Sequence, residues 1–215
     1  MIRSILATDE NIELSTYSSL GQNRIRKEIN NGDKDFDLLI IHGDINNEVL
    51  TELNIDLNST STLYMPLAFS RNYNESESPF QLISTKDIQY YDVQLSIVGS
   101  QIDHPILDLP DIDLSAFPPL KGHVNSTQIP VESQTLFTSS YQNINTDSPL
   151  VSILEIGNIR KSETLAHGWF KTYMSPNSQE REFIISFFNN LIDWTSSNPD
   201  TRLLKLKPAK SVFNS

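Results

Sequence analysis

Apolar residues recur along this chain with two periods, and the two separate helix from strand. In "NSQEREFIISFFNNLIDWTSS" (177–197), Phe183, Phe187, Leu191 and Trp194 fall at i, i+4, i+8 and i+11, and Ile184, Phe188 and Ile192 widen the stripe. Asn177, three residues before Glu180, offers a capping box just after Pro176. The pattern predicts a long amphipathic helix packed on a sheet. Shorter apolar runs predict strands over 36–43, 62–68, 93–99, 135–141, 151–156 and 163–170. Leu38, Leu39, Ile40 and Ile41 follow one another without a polar break, as in a strand covered on both faces. The expectation is therefore an α/β protein, a three-layer α/β/α sandwich.

Gly157 and Asn158 in "IGNIRKS" tolerate positive φ and predict a hairpin between the last two strands, which makes the sheet mixed. Pro105, Pro110, Pro118 and Pro119 argue against helix in 103–123. Ile106, Leu107, Phe117 and Leu120 are too apolar for that segment to stay in water, so an ordered, extended loop is expected. The stretch 48–58 can begin as a short helix. "MIRSILATD" reads equally as a strand or as the end of a helix.

Composition narrows the chemistry. The 215 residues suffice for one sizeable core, read as a domain over 1–200 with 201–215 as a connector toward a following domain. A net charge of -11 with no dense Lys/Arg run argues against nucleic acid as a partner. No apolar run approaches the roughly 18 residues of a membrane span, and no basic and apolar leader opens the chain, so no membrane contact by this segment is expected. Cysteine is absent, which removes disulfides, thiolate metal sites and thiol nucleophiles together.

Ser70, after the apolar run 62–68, raises the question of a nucleophile at a strand-to-helix bend. Its neighbours Ala68, Phe69, Arg71 and Asn72 lack the glycines such a bend needs, so it reads as a loop residue. The four histidines, His42, His104, His123 and His167, show no metal-binding spacing, and no metal or cofactor is expected. His104 precedes a proline and reads as solvent-facing or backbone-bonded. His42 and His167 each end a predicted strand and precede a glycine, where α/β proteins place ligand-contacting groups. The carboxylates of "HGDINNE" and "DHPILDLPDID" lack the pattern of a calcium loop.

The order of "FDLLIIHG", "FPPLKG", "TDSPLVSILEIGNIRKSETLAHGWFKTY" and "FFNNLIDWTSSNPDTRLLKLKPAKSVFNS" resembles a class I glutamine-amidotransferase-like domain, across most of 36–215. It is most similar to the divergent version within large bacterial envelope proteins that carry von Willebrand factor A-like regions. The resemblance implies a flavodoxin-like, mostly parallel sheet with an antiparallel C-terminal hairpin, and a chain that begins after the family's first strand. It places the oxyanion loop at His42, Gly43 and Asp44, the nucleophile bend at "PLAFSRN", and the catalytic histidine at His167. The bend has no cysteine, and Trp169 stands where a carboxylate should orient the imidazole.

The resulting expectation is a non-catalytic module with a structural or ligand-sensing role in a larger envelope-associated protein, on the periplasmic side. Its partners would be other domains of the same polypeptide, an envelope complex, or a second copy of the chain. The alternatives are a serine hydrolase using Ser70 with His167 or His42, and a binding module for a small molecule or peptide. The binding candidates are His42, Gly43, Asp44, Ser70, Arg71, His167 and Trp169.

Overall fold

A computed structural model describes residues 1–10, 12–19, 25–27, 36–43, 47–66, 90–124 and 129–198. The chain opens with a short helix, α1 (Ile2–Leu6), which settles the N-terminal ambiguity in favour of helix. Two three-residue strands, β1 (Tyr17–Ser19) and β2 (Ile25–Lys27), form a separate antiparallel pair. There follow β3 (Leu39–His42), α2 (Asn47–Glu52), β4 (Thr62–Met65), β5 (Tyr91–Ile97), β6 (Leu120–Gly122), β7 (Gln134–Tyr141), β8 (Ile144–Ile156) and β9 (Ile159–Thr164). The described chain ends on α3 (Trp169–Tyr173) and α4 (Ser178–Ser196).

Strands β3 to β9 form one seven-stranded sheet in the order β3-β4-β9-β8-β7-β5-β6. The pairs β3–β4 and β4–β9 are parallel, and the other four pairings are antiparallel. The α/β class is as expected, with an antiparallel share larger than the single C-terminal hairpin that the sequence indicates. Strand β5 adds two antiparallel pairings, with β6 and β7, and a second tight hairpin adds a third. Gln142 and Asn143 both take positive φ, +52° and +63°, and join Tyr141 to Ile144 in a two-residue turn. The anticipated hairpin is also present, but its second strand is 159–164 and not 163–170: Ile156 pairs with Ile159 across Gly157 and Asn158, with Gly157 at φ +57°, and 169–173 is helical.

Strand β3 is the terminal strand of the described sheet and only half-buried, whereas its neighbour β4 is buried at every position. The double-sided burial expected of 36–43 thus belongs to β4, because β4 has a partner on each side and β3 has one.

Alternation along β9 shows that both faces are buried. Arg160 and Ser162 face α4: the Arg160 guanidinium donates to Trp194 O, and the Ser162 and Thr195 hydroxyls share a hydrogen bond of 2.8 Å. Lys161 and Glu163 take the opposite face and are also buried, at 5% and 1% exposure. The α4 side holds the main core. Phe137 meets Phe187 edge-on at 5.4 Å, Phe117 meets Phe183 at 5.0 Å, and Trp169 stacks on Phe187 at 5.5 Å. Helix α4 starts as its sequence predicts, with the Asn177 side chain accepting from Gln179 N and donating to Glu180.

The proline-rich stretch is ordered by two short 3-10 turns, Pro105–Leu107 and Leu114–Ala116, and buries Ile106, Leu107 and Phe117. Asn190 of α4 fastens it by donating to Asp108 O at 3.0 Å. Among the described residues no helix is long and apolar enough to cross a membrane. The connector 201–215 lies outside the described residues.

Candidate functional site

Three parallel strands, β3, β4 and β9, end on the same side of the sheet, the side on which open α/β sheets hold ligands. Strand β3 closes on His42. Gly43 then turns at φ +113°, and its N–H donates to Met65 O at 2.9 Å, so the two strand ends stay in step. A side chain at that φ would be strained, which is why glycine follows the histidine here.

Beyond β9 the chain does not continue into the next helix directly. Leu165 N donates to Leu150 O at 2.7 Å, and His167 then exchanges two backbone hydrogen bonds with Lys121, each 2.8 Å. Strand β6 belongs to the far end of the sheet, so this bridge brings two distant strands together. It carries His123, one residue past β6, and Tyr90, one residue before β5, toward His167. The Tyr90 and His167 rings meet edge-on with centroids 5.0 Å apart.

Burial sets the charge of this group. His167 is held at about 4, below its ordinary 6.5, first by desolvation and then by the neighbouring His123 imidazole. A hydrogen bond to the Pro66 backbone opposes the shift, and His42 adds to it. Desolvation also lowers His123 and His42, although His42 keeps solvent access. The three imidazoles are therefore neutral at neutral pH. Tyr90 is raised, first by burial and then by the negative charge of Glu163 on the buried face of β9.

His167 Nε2 is buried and, among the described residues, has no hydrogen-bond partner. A buried polar atom left without a hydrogen-bond partner costs about 1–3 kcal/mol.

The structure thus brings together His42, Gly43 and His167 from the sequence-based candidates. Trp169 goes elsewhere: it is 3% exposed, donates from Nε1 to Ala166 O at 2.8 Å, and packs against Phe187 and Phe188 in the core. Asp44, Ser70 and Arg71 lie outside the described residues. His104 is backbone-bonded, as its sequence context predicts, with Nδ1 accepting from Ile106 N at 3.2 Å.

Sequence reasoning did not single out Tyr90, His123 or Glu163. The one signal for Glu163 is parity, since Lys161, Glu163, Leu165 and His167 alternate on one side of an extended segment. Tyr90 and His123 had none, because only the bridge between Lys121 and His167 places them. Among the described residues no group of three His, Cys, Asp or Glu side chains is arranged to hold a metal ion. What the site offers is a buried ring nitrogen of His167 in a desolvated setting flanked by the Tyr90 ring.

No family model matches the chain, and no curated protein does. Among solved structures, a cytoplasmic protein of Salmonella typhimurium, STM3548, is similar with a TM-score of 0.47 and 13% identity, over 85% of this chain and 94% of that one.

Proposed function

We propose that this chain is a ligand-binding module of amidotransferase-like architecture that lacks that family's thiol chemistry. Its site is at the ends of β3, β4 and β9, where His42, His123, His167 and Tyr90 converge. The observation that carries the reading is the buried, unpartnered Nε2 of His167, an acceptor that a bound molecule would satisfy. The cysteine-free sequence supports the non-catalytic part of the reading, since no thiolate exists to attack an amide. A sensing role within a larger envelope-associated assembly belongs to the same proposal and rests on the resemblance of element order alone.

The test is thermal unfolding of the wild type and of His167→Gln against a library of uncharged, cationic and anionic small molecules. A binder raises Tm with concentration in the wild type, because it stabilises only the folded state, and does so much less in the variant. A library in which no compound raises Tm, or in which the variant responds equally, overturns the reading. Glutamine and simple esters are expected to show no turnover above background, and turnover lost in Ser70→Ala would overturn the non-catalytic part.

A further inference from the structure

The proline-rich stretch is fastened beside α4 through a histidine that has to stay neutral, a feature independent of the binding reading above. His104 stands just before the turn Pro105–Leu107 and caps it: its Nδ1 accepts from Ile106 N at 3.2 Å. An imidazole nitrogen that accepts carries no proton, so the proton of the neutral ring is on Nε2. Once Nδ1 takes up a proton it turns an N–H toward an N–H, and the cap is lost.

The surroundings of the ring also resist a positive charge. It meets the Trp194 ring of α4 edge-on with centroids 5.6 Å apart, and the Arg160 guanidinium of β9 already lies 4.6 Å from the centre of that same ring. A second cation beside Trp194 would face the first. Burial, and after it the Arg160 charge, hold the His104 pKa below its ordinary 6.5. The other charged groups around it are carboxylates. Glu155 of β8, ion-paired with Arg160 at 2.9 Å, tempers that charge without cancelling it. Asp193 of α4 is exposed and coupled to Asp9, and Asp103 and Asp108 on the stretch itself are exposed to solvent.

Beneath the cap the stretch is apolar. Ile106 is fully buried and Leu107 is 8% exposed, both in the main core. On the α4 side Asn190 donates to Ile106 O at 3.4 Å and to Asp108 O at 3.0 Å. We propose that His104 is a proton-sensitive clasp: acid displaces the Ile106 amide from its ring, and residues 102–108 lift from α4 while the sheet stays folded, baring the apolar surface beneath them. The coupling has one sign. The open stretch binds the proton with the ordinary pKa of 6.5 and the closed one binds it more weakly. The clasp is therefore at full strength above pH 6.5 and weakens as pH falls below that value.

Hydrogen exchange of the intact chain at pH 7.5 and pH 5.5, corrected for intrinsic exchange rates, tests this. Protection of the Ile106 and Leu107 amides should fall several-fold at pH 5.5, with about tenfold as the ceiling for one histidine, while β7 and β8 keep theirs. His104→Asn keeps an acceptor at the cap and binds no proton, so it should stay protected at both values. His104→Ala should be open at both. In the wild type the Ile106 amide proton resonance should titrate with the same midpoint as the His104 ring, below pH 6.5, a reading that needs no variant. Unchanged protection in the wild type, an equal loss in His104→Asn, a loss shared by β7 and β8, or an Ile106 resonance that ignores the His104 titration overturns the proposal. An alanine variant as protected as the wild type contradicts the cap itself.

Discussion

Arg160 shows how one buried charge is made tolerable. Its Nε donates to Glu155 at 2.9 Å, one terminal nitrogen donates to Trp194 O and Ser197 O at 3.0 and 3.2 Å, and the guanidinium lies 4.6 Å from the Trp194 ring centre. It satisfies the last carbonyls of α4 from the neighbouring strand, a job usually left to water or to the helix itself. Arg160→Met keeps the volume and strands those acceptors, so a loss of about 2–3 kcal/mol is expected in urea unfolding. A loss below about 0.5 kcal/mol would show that the acceptors find water instead. His167 makes the second prediction at this scale. Its pKa falls from 6.5 in the unfolded chain to about 4 in the folded one, so the unfolded state binds the proton more tightly. Stability from this residue is full above pH 6.5 and declines through that window until pH 4, a loss of about 3 kcal/mol. Unfolding free energies at pH 7.5 and pH 4 should differ less in His167→Gln than in the wild type.

Among the elements, α4 was legible in the sequence and the strands only in part. The helix announces itself because cap, period and length agree, and the structure has Phe183, Phe187 and Leu191 buried at 2% exposure or less. Phe187→Ala should cost about 3–5 kcal/mol, and Asn177→Ala about 1 kcal/mol; a reversed ranking would contradict the packing described. The apolar pattern marks only 151–156 of strand β8, which runs from Ile144, because its first half, "INTDSP", has no apolar alternation. Pairing with β7 holds that half in place, assisted by Asn145, which accepts from Thr138 Oγ1 at 3.1 Å and from Asp147 N at 3.0 Å. The turn before it uses Gln142 at positive φ, where most side chains are strained. Gln142→Asn with Asn143→Gly should therefore stabilise the hairpin by roughly 0.5–1 kcal/mol, read as a raised urea midpoint.

For the whole molecule, local pattern was sufficient to give the α/β class and insufficient to give the site. His42 and His167 were visible because a histidine followed by glycine at a strand end is a short-range signal, and both glycines do take positive φ, +113° and +94°. The rest of the cluster is made by one long-range pairing, Lys121 with His167, between segments that nothing in their sequences assigns to each other. Trp169 misled for the converse reason: two residues from His167 along the chain, it turns with α3 into the core. The central claim, a ligand site at the ends of β3, β4 and β9, is most directly tested by backbone amide shift mapping with the compounds that raise Tm. The account predicts perturbations grouped at His42 and Gly43, at Tyr90, at Lys121 to His123 and at Glu163 to Gly168. Perturbations confined to α4 or to the proline-rich stretch would contradict it.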